Sequence, residues 1–271
     1  MDDFDPHPSP EIPRRPVKGR GASGNVAHRF SVETRHAEDD GWEPAAPSNP
    51  RTRLLVDRAK SIISRNDSPD IGFNQSLNPY RGCEHGCIYC YARPTHAFLG
   101  LSPGLDFETQ IFMKPDAPRL LREEFGHPDY VCSVIALGTA TDAYQPFERK
   151  EQLTRSLLEI FLETRHPVSV VTKSSLIVRD IDLWAELAQR KLAHIGISLT
   201  TLDGTLARQL EPRASAPHAR LEAMRRLADA GIPVSAFVSP LIPGLIDREL
   251  EMLLAVARDH VATSAGYTLL L

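Results

Sequence analysis

The sequence predicts an α/β fold built on a parallel sheet, and three observations carry that prediction. From about residue 70 onward, short apolar runs alternate with helical periods. Six strand candidates are separated by helix candidates, which implies right-handed βαβ units. Polar motifs fall just after the strand candidates, where such sheets gather ligands at the carboxyl ends of their strands.

The elements follow in order. Residues 71–77 form the first strand candidate and lead into a cysteine-rich loop, and a short helix is expected over 117–125. The apolar run 131–137 reads as a buried strand, with Cys132 as a structural thiol inside it. Over 151–164, Leu153, Leu157, Ile160 and Phe161 recur at helical spacing. Strand 168–172, helix 181–191 and strand 195–199 come next. In the helix expected over 217–230, Leu221, Met224, Leu227 and Ala228 share a face, and Gly231 is placed to stop it. Strand 234–238, helix 248–258 and a last apolar run, 267–271, complete the alternation.

The chain of 271 residues is 42% hydrophobic and 24% charged, ordinary values for a soluble globular protein. Its formal net charge of -4 supplies no global basic field for nucleic acid. No apolar run is long enough to span a bilayer, so no membrane partner is expected. The acidic, proline-rich start is not a signal peptide, and the reading is a soluble, cytoplasmic protein. Eight of the 22 prolines lie in residues 1–50. Residues 1–60 are expected to be a flexible tail rich in Pro, Gly and charge, and 61–271 the folded domain. The tail's stretch Pro13-Arg14-Arg15-Pro16-Val17-Lys18-Gly19-Arg20-Gly21 is either disordered or a basic arm that touches phosphate.

Three of the four cysteines fall in Asn78-Pro79-Tyr80-Arg81-Gly82-Cys83-Glu84-His85-Gly86-Cys87-Ile88-Tyr89-Cys90. A disulfide framework spreads its cysteines to close loops, whereas clustering suits a metal in a reducing compartment. The spacing CxxxCxxC lets Cys83, Cys87 and Cys90 hold three corners of a cubane [4Fe–4S] cluster, leaving the fourth iron without a protein ligand. Electron-transfer clusters use four cysteines; an open corner makes room for a substrate or cosubstrate on iron. Gly82 and Gly86 allow the backbone to wrap closely around the metal. The competing reading is a Cys₃His zinc site that includes His85. Single residues separate His85 from Cys83 and from Cys87, which makes tetrahedral ligation by all three cramped.

A CxxxCxxC loop after a first strand, followed by a parallel βα array, resembles the radical S-adenosylmethionine (SAM) superfamily. Residues 78–90, 92–100 and 101–108 resemble its uncharacterised branch related to spore photoproduct lyase, as does the tail stretch Lys18-Gly-Arg-Gly-Ala22. The resemblance implies a partial (βα)₆ TIM-like barrel, a [4Fe–4S] cluster with SAM as cofactors, and reductive cleavage of SAM to a 5′-deoxyadenosyl radical that abstracts hydrogen from a substrate. An external reductant of flavodoxin or ferredoxin type is implied, and nucleic acid is one possible substrate. Relatives continue into a C-terminal segment beyond the last apolar run, so the chain is expected to lack that segment.

The resemblance also places candidate SAM contacts at the strand ends. After the second strand, Thr139, Thr141 and Asp142 suit the amino group, or else cap a helix. Lys173 and Ser174 after the third offer a cation and a hydroxyl, and Ser198 after the fourth suits ribose. Arg213 could pair with the methionyl carboxylate or form a surface salt bridge. The stretch 240–247, with Gly244 shaping its backbone, resembles the adenine-side loop, although Ile246 stands where related sequences carry a polar residue. Tyr89 and Tyr91 bracket Cys90; one is expected to shield the cluster or SAM and the other to join the core. His96 is expected to pack its loop. Spore photoproduct lyases place a hydrogen-returning cysteine near the second strand's end, where this sequence has Gly138-Thr-Ala-Thr141; this argues against thymine-dimer repair by that route. The alternative function is a non-catalytic zinc or iron–sulfur module that binds a partner or nucleic acid.

Overall fold

A computed structural model of the chain describes residues 16–31 and 50–270. Its strands are β1 (Arg53–Val56), β2 (Ile63–Arg65), β3 (Gln75–Leu77), β4 (Tyr80–Arg81), β5 (Gln110–Met113), β6 (Ile135–Leu137), β7 (Val168–Thr172), β8 (Ala193–Ser198), β9 (Val234–Leu241) and β10 (Ser264–Leu269). The α-helices are α1 (Leu105–Thr109), α2 (Ala117–Phe125), α3 (Glu148–Glu151), α4 (Leu153–Glu163), α5 (Ile181–Gln189), α6 (Gly204–Leu210), α7 (Pro217–Asp229) and α8 (Leu250–Asp259).

The main sheet has the order β10-β9-β8-β7-β6-β3-β2. Its pairs are parallel from β3 through β10, and β2 adds an antiparallel edge. Six sequential parallel strands connected by helices make an α/β partial barrel of TIM type. A second sheet, β1-β5-β4, stands beside the cysteine loop.

Alternation along each strand decides which face is which. Val168, Val170, Ile195, Ile197, Val234 and Ala236 point outward and join Leu157, Ile160 and Phe161 of α4, Trp184 and Leu187 of α5, and Met224 and Leu227 of α7 in one buried core. Trp184, fully buried, donates its indole N–H to the Tyr144 hydroxyl at 2.8 Å, so its polar edge is satisfied. Helix α7 starts on Pro217, whose fixed φ suits a first helical position. Gly231 follows it at φ 76°, the left-handed conformation that ends a helix.

The inner face carries Ser169, Val171, Gly196 and Phe237. A Cβ on Gly196 would lie 2.6 Å from the Phe237 ring, so glycine there makes room for an aromatic floor. Gly196→Ala is therefore expected to destabilise the protein by about 1–3 kcal/mol through overpacking. An unchanged urea midpoint would count against that account.

Several expectations change. The strand expected over 71–77 pairs only at Gln75–Leu77, and that over 131–137 only at Ile135–Leu137. Residues 131–134 precede the paired register, so Cys132 is exposed rather than a buried thiol. The last strand begins earlier than expected, at Ser264. The tail also differs. Gly21 packs on the cysteine loop and residues 22–30 on the segment 98–108 beside it, Val17 is buried, and β1 pairs with β5 inside the expected tail. Residues 1–15 and 32–49 lie outside the described residues. No helix among the described residues is long and apolar enough to cross a membrane.

Candidate functional site

A cavity of about 980 Å³ opens among the carboxyl ends of the parallel strands and extends down the inner face. Cys83, Cys87 and Cys90 all line it, together with Tyr89, Thr139, Thr141, Asp142, Lys173 and Ser198. The topology thus gathers residues from four strand ends that lie far apart in sequence.

The loop that presents the thiols is shaped by two glycines of positive φ, Gly82 at 79° and Gly86 at 67°. A Cβ on Gly82 would meet the Phe107 carbonyl and the His96 ring, each at 2.8 Å. Turning there lets the Cys83 N–H donate to the Phe107 carbonyl at 3.0 Å. His96 is fully buried, holds the Gln110 carbonyl through Nε2, and packs edge-on against Phe107. Its burial lowers its pKa, which keeps the ring neutral. It packs the loop, as expected.

Burial pushes all three thiols up, Cys87 to about 12 despite the nearby Lys173 cation. Loading with iron therefore releases protons. Three soft sulfurs facing one roomy cavity fit a cluster with one open corner. Among the described residues, no three His, Cys, Asp or Glu side chains converge on a point that would hold a single ion. His85, the fourth ligand of the zinc reading, places Nδ1 3.3 Å from Asp142.

Asp142 is a clamp. Its carboxylate accepts from Thr172 Oγ1, the Lys173 N–H and the Tyr144 N–H at 2.7–2.9 Å, besides its contact with His85. These four contacts use its lone-pair sites. Burial opposes its charge, but His85 and the donors prevail and hold the carboxyl well below the usual carboxylate range. Thr141 is likewise engaged, donating to the Gly82 carbonyl at 2.6 Å. Thr139 accepts from Asn78 at 3.2 Å, and its carbonyl accepts from the Tyr91 hydroxyl. Lys173 donates to Ser198 Oγ at 2.9 Å and lies 5.8 Å from the centre of the Tyr89 ring. Among the described residues it is the Lys or Arg that lines the cavity beside the thiols.

Beneath Tyr89 stands a group the sequence reading passed over. Glu211 and Arg220 form an ion pair with side chains 1% and 2% exposed. Glu211 also accepts from the Tyr89 hydroxyl and from Thr200. Arg220 donates to the Ser198 and Ser215 carbonyls. Burial would raise the Glu211 carboxyl, but Arg220 and Lys173 outweigh it and bring it down to about 2. The pair anchors Tyr89 from below. Tyr91 is 78% exposed and Tyr89 is half-buried against the cavity, so neither tyrosine belongs to the core.

Three candidate residues stand outside the cavity lining. Ser174 caps the turn that follows β7, accepting from the Leu176 N–H. Arg213 pairs at 3.2 Å with Glu84, whose side chain is buried, so the bridge is half-buried rather than on the surface. Gly244 turns in open space at φ 76°. In the same stretch Leu241 and Ile246 bury into a cluster with Leu199 and Leu253, which explains an apolar residue at 246.

Fold and site together define a class: a parallel half-barrel with three cysteines on one loop at its mouth and a cation facing them. The radical SAM superfamily profile matches residues 77–257, more than half of the chain, and the chain belongs to that superfamily, a family of enzymes. Membership implies a [4Fe–4S] cluster and SAM. An uncharacterised protein of Mycobacterium tuberculosis is 38% identical over 196 residues, covering 72% of this chain and 58% of its own length. One from Methanocaldococcus jannaschii is 29% identical over 201 residues, covering 74% and 72%. The chain thus spans less than two thirds of the mycobacterial relative. Among solved structures, spore photoproduct lyase complexed with dinucleoside spore photoproduct superposes with a TM-score of 0.57 at 18% identity, over 79% of this chain and 60% of that one. A form of that lyase with bound AdoMet and dinucleoside spore photoproduct gives 0.56 at 18% identity with the same coverage. At that identity the likeness establishes the fold.

Proposed function

We propose that the protein cleaves SAM reductively and uses the resulting radical to abstract hydrogen from a substrate. The observation that carries this reading is the convergence of Cys83, Cys87, Cys90 and Lys173 on one cavity. When bound, the [4Fe–4S] cluster supplies one electron to the sulfonium of SAM, giving methionine and a 5′-deoxyadenosyl radical. The three thiolates hold that cluster. Lys173, fixed by Ser198 and the Tyr89 face, pairs with the SAM carboxylate, while Ser198 and Thr139 offer oxygens to its hydroxyls and amino group. Asp142 and Thr141 act one step back, setting the loop that carries Thr139. Tyr89 closes the cavity beside Cys90 and excludes water from the reacting atoms. An external one-electron carrier of flavodoxin or ferredoxin type, in the cytoplasm, completes the reaction. The substrate class stays open, nucleic acid included.

The test is 5′-deoxyadenosine formation by anaerobically reconstituted protein with SAM and dithionite, alongside iron and sulfide analysis. Zinc-loaded protein that leaves SAM intact would instead support a non-catalytic module. Lys173→Met is expected to raise the SAM concentration for half-maximal cleavage by about 10–100-fold, the value of a hydrogen bond to a charged group. An unchanged dependence on SAM would take Lys173 out of the site.

A further inference from the structure

Residues 20–24 lie directly on the cysteine loop and its supporting segment through two contacts between bare backbones. A Cβ on Gly21 would fall 1.8 Å from the Gly86 carbonyl oxygen, and one on Gly104 2.2 Å from that of Gly24. Approaches this close exclude any side chain. None of these four glycines lines the cavity.

What holds this arm down is Glu108 of α1, whose side chain has no exposed surface. Its Oε2 accepts from the Gly21 N–H at 3.0 Å and its Oε1 from the Ala22 N–H at 2.9 Å. Arg93 completes the carboxylate's set at 2.6 Å. The same guanidinium donates to the carbonyls of Gly86, Cys87, Pro103 and Gly104 at 3.0–3.3 Å. Its five N–H donors thus meet five acceptors. Two of those acceptors belong to the cluster loop. In a trans peptide the N–H points opposite to the C=O, so anchoring the Gly86 carbonyl on Arg93 turns the Cys87 N–H to the opposite side of the loop. Amides aimed at cluster sulfurs are one of the levers that set a cluster's potential.

We propose that Glu108 is a positioning residue that latches the arm around Gly21 onto the cysteine loop and, through Arg93, fixes the loop conformation that holds and shields the cluster. The inference rests on the cluster reading above. It gives the Lys18–Ala22 stretch a task inside the molecule: the Glu108 carboxylate takes up the amides of Gly21 and Ala22, and Arg20 reaches the Glu108 carbonyl at 3.1 Å and the Pro50 carbonyl at 2.8 Å.

The test compares the full chain with Gly21→Ala, which forces the arm off Gly86, and Glu108→Gln, which replaces one acceptor with a donor. Gly204→Ala is the control, because a Cβ there meets nothing within 4 Å. In metal-free protein, amide hydrogen exchange at residues 21, 22 and 86–90 is expected to accelerate about tenfold or more in both variants and not in the control. In reconstituted protein, the half-life of the cluster absorbance in air is expected to shorten by about 10–100-fold, the range of outer-shell changes at metal sites. The midpoint potential, which a merely structural contact leaves alone, is expected to move in both variants. Lifetimes and potentials that ignore both substitutions would overturn the inference while leaving the cluster reading intact. If the unaltered protein takes up no cluster, both fall together.

Discussion

Replacing any one of Cys83, Cys87 or Cys90 by serine is expected to abolish SAM cleavage and to strip the protein of iron, whereas Cys132→Ser leaves both unchanged. A hydroxyl is a hard, weak ligand for iron, and no spare thiol stands near the loop to replace the one lost. Cys132, the remaining cysteine, is exposed ahead of β6 and does not line the cavity. The loss should exceed the roughly 10–100-fold that outer-shell changes cost, because a ligand itself is removed. Iron and sulfide analysis with 5′-deoxyadenosine assays reads both effects. A serine variant that retains a full cluster and normal cleavage would remove that cysteine from the metal site.

The second large effect is expected at the ion pair beneath Tyr89. Arg220→Met removes the buried partner of the Glu211 carboxylate, which costs about 3–5 kcal/mol. Urea denaturation measures it, and a change under about 1 kcal/mol would show the pair to be solvated. The same carboxylate makes stability depend on pH. Its pKa is brought down from 4.5 to about 2 in the folded chain. Its contribution is therefore complete above the ordinary carboxylate value and is lost as pH falls through about 2. In Glu211→Gln that part of the acid dependence should disappear. Function is coupled to the same pair: Glu211→Gln gives Tyr89, which borders the cavity next to Cys90, a neutral amide acceptor in place of the carboxylate.

Much of this molecule can be read without coordinates, and the reasons are local. Helix α2 occupies the expected residues 117–125, and α4, α5 and α7 fall within the expected ranges. Each has a one-sided apolar period that only a helix can bury. Strand 168–172, Val-Ser-Val-Val-Thr, is rich in β-branched residues and sets Val168 and Val170 on one apolar face, the mark of a strand covered on its outer face. The cysteine spacing is equally local, since three ligands of one loop need nothing from the rest of the chain. Strand starts were harder. The run 131–137 is apolar except for Ser133, yet pairing begins at Ile135 because that is where β3 and β7 offer partners.

The candidate site was legible by type and less so by contact. Lys173, Ser198 and Thr139 face the cavity as the strand-end rule suggests, whereas Ser174, at the position after Lys173, turns back to cap. A single position along the chain reverses a side chain's direction. Asp142 reads as an acceptor for a ligand, but tertiary neighbours from β7 and the cysteine loop already use its oxygens.

From the chain of letters alone come the parallel α/β alternation, the three thiols and the superfamily resemblance, because each is written in periodicity or spacing over a few residues. Folding in three dimensions settled the rest: that Glu211 and Arg220 meet under Tyr89, that Glu108 receives the amides of Gly21 and Ala22, and that Phe237 lies across Gly196. Most of those contacts join segments tens of residues apart, Glu211 and Arg220 being nine apart but meeting a Tyr89 that is 122 residues from Glu211, and their partners leave no periodic trace in the sequence. Burial and geometry choose such partners, and both exist only once the sheet has assembled.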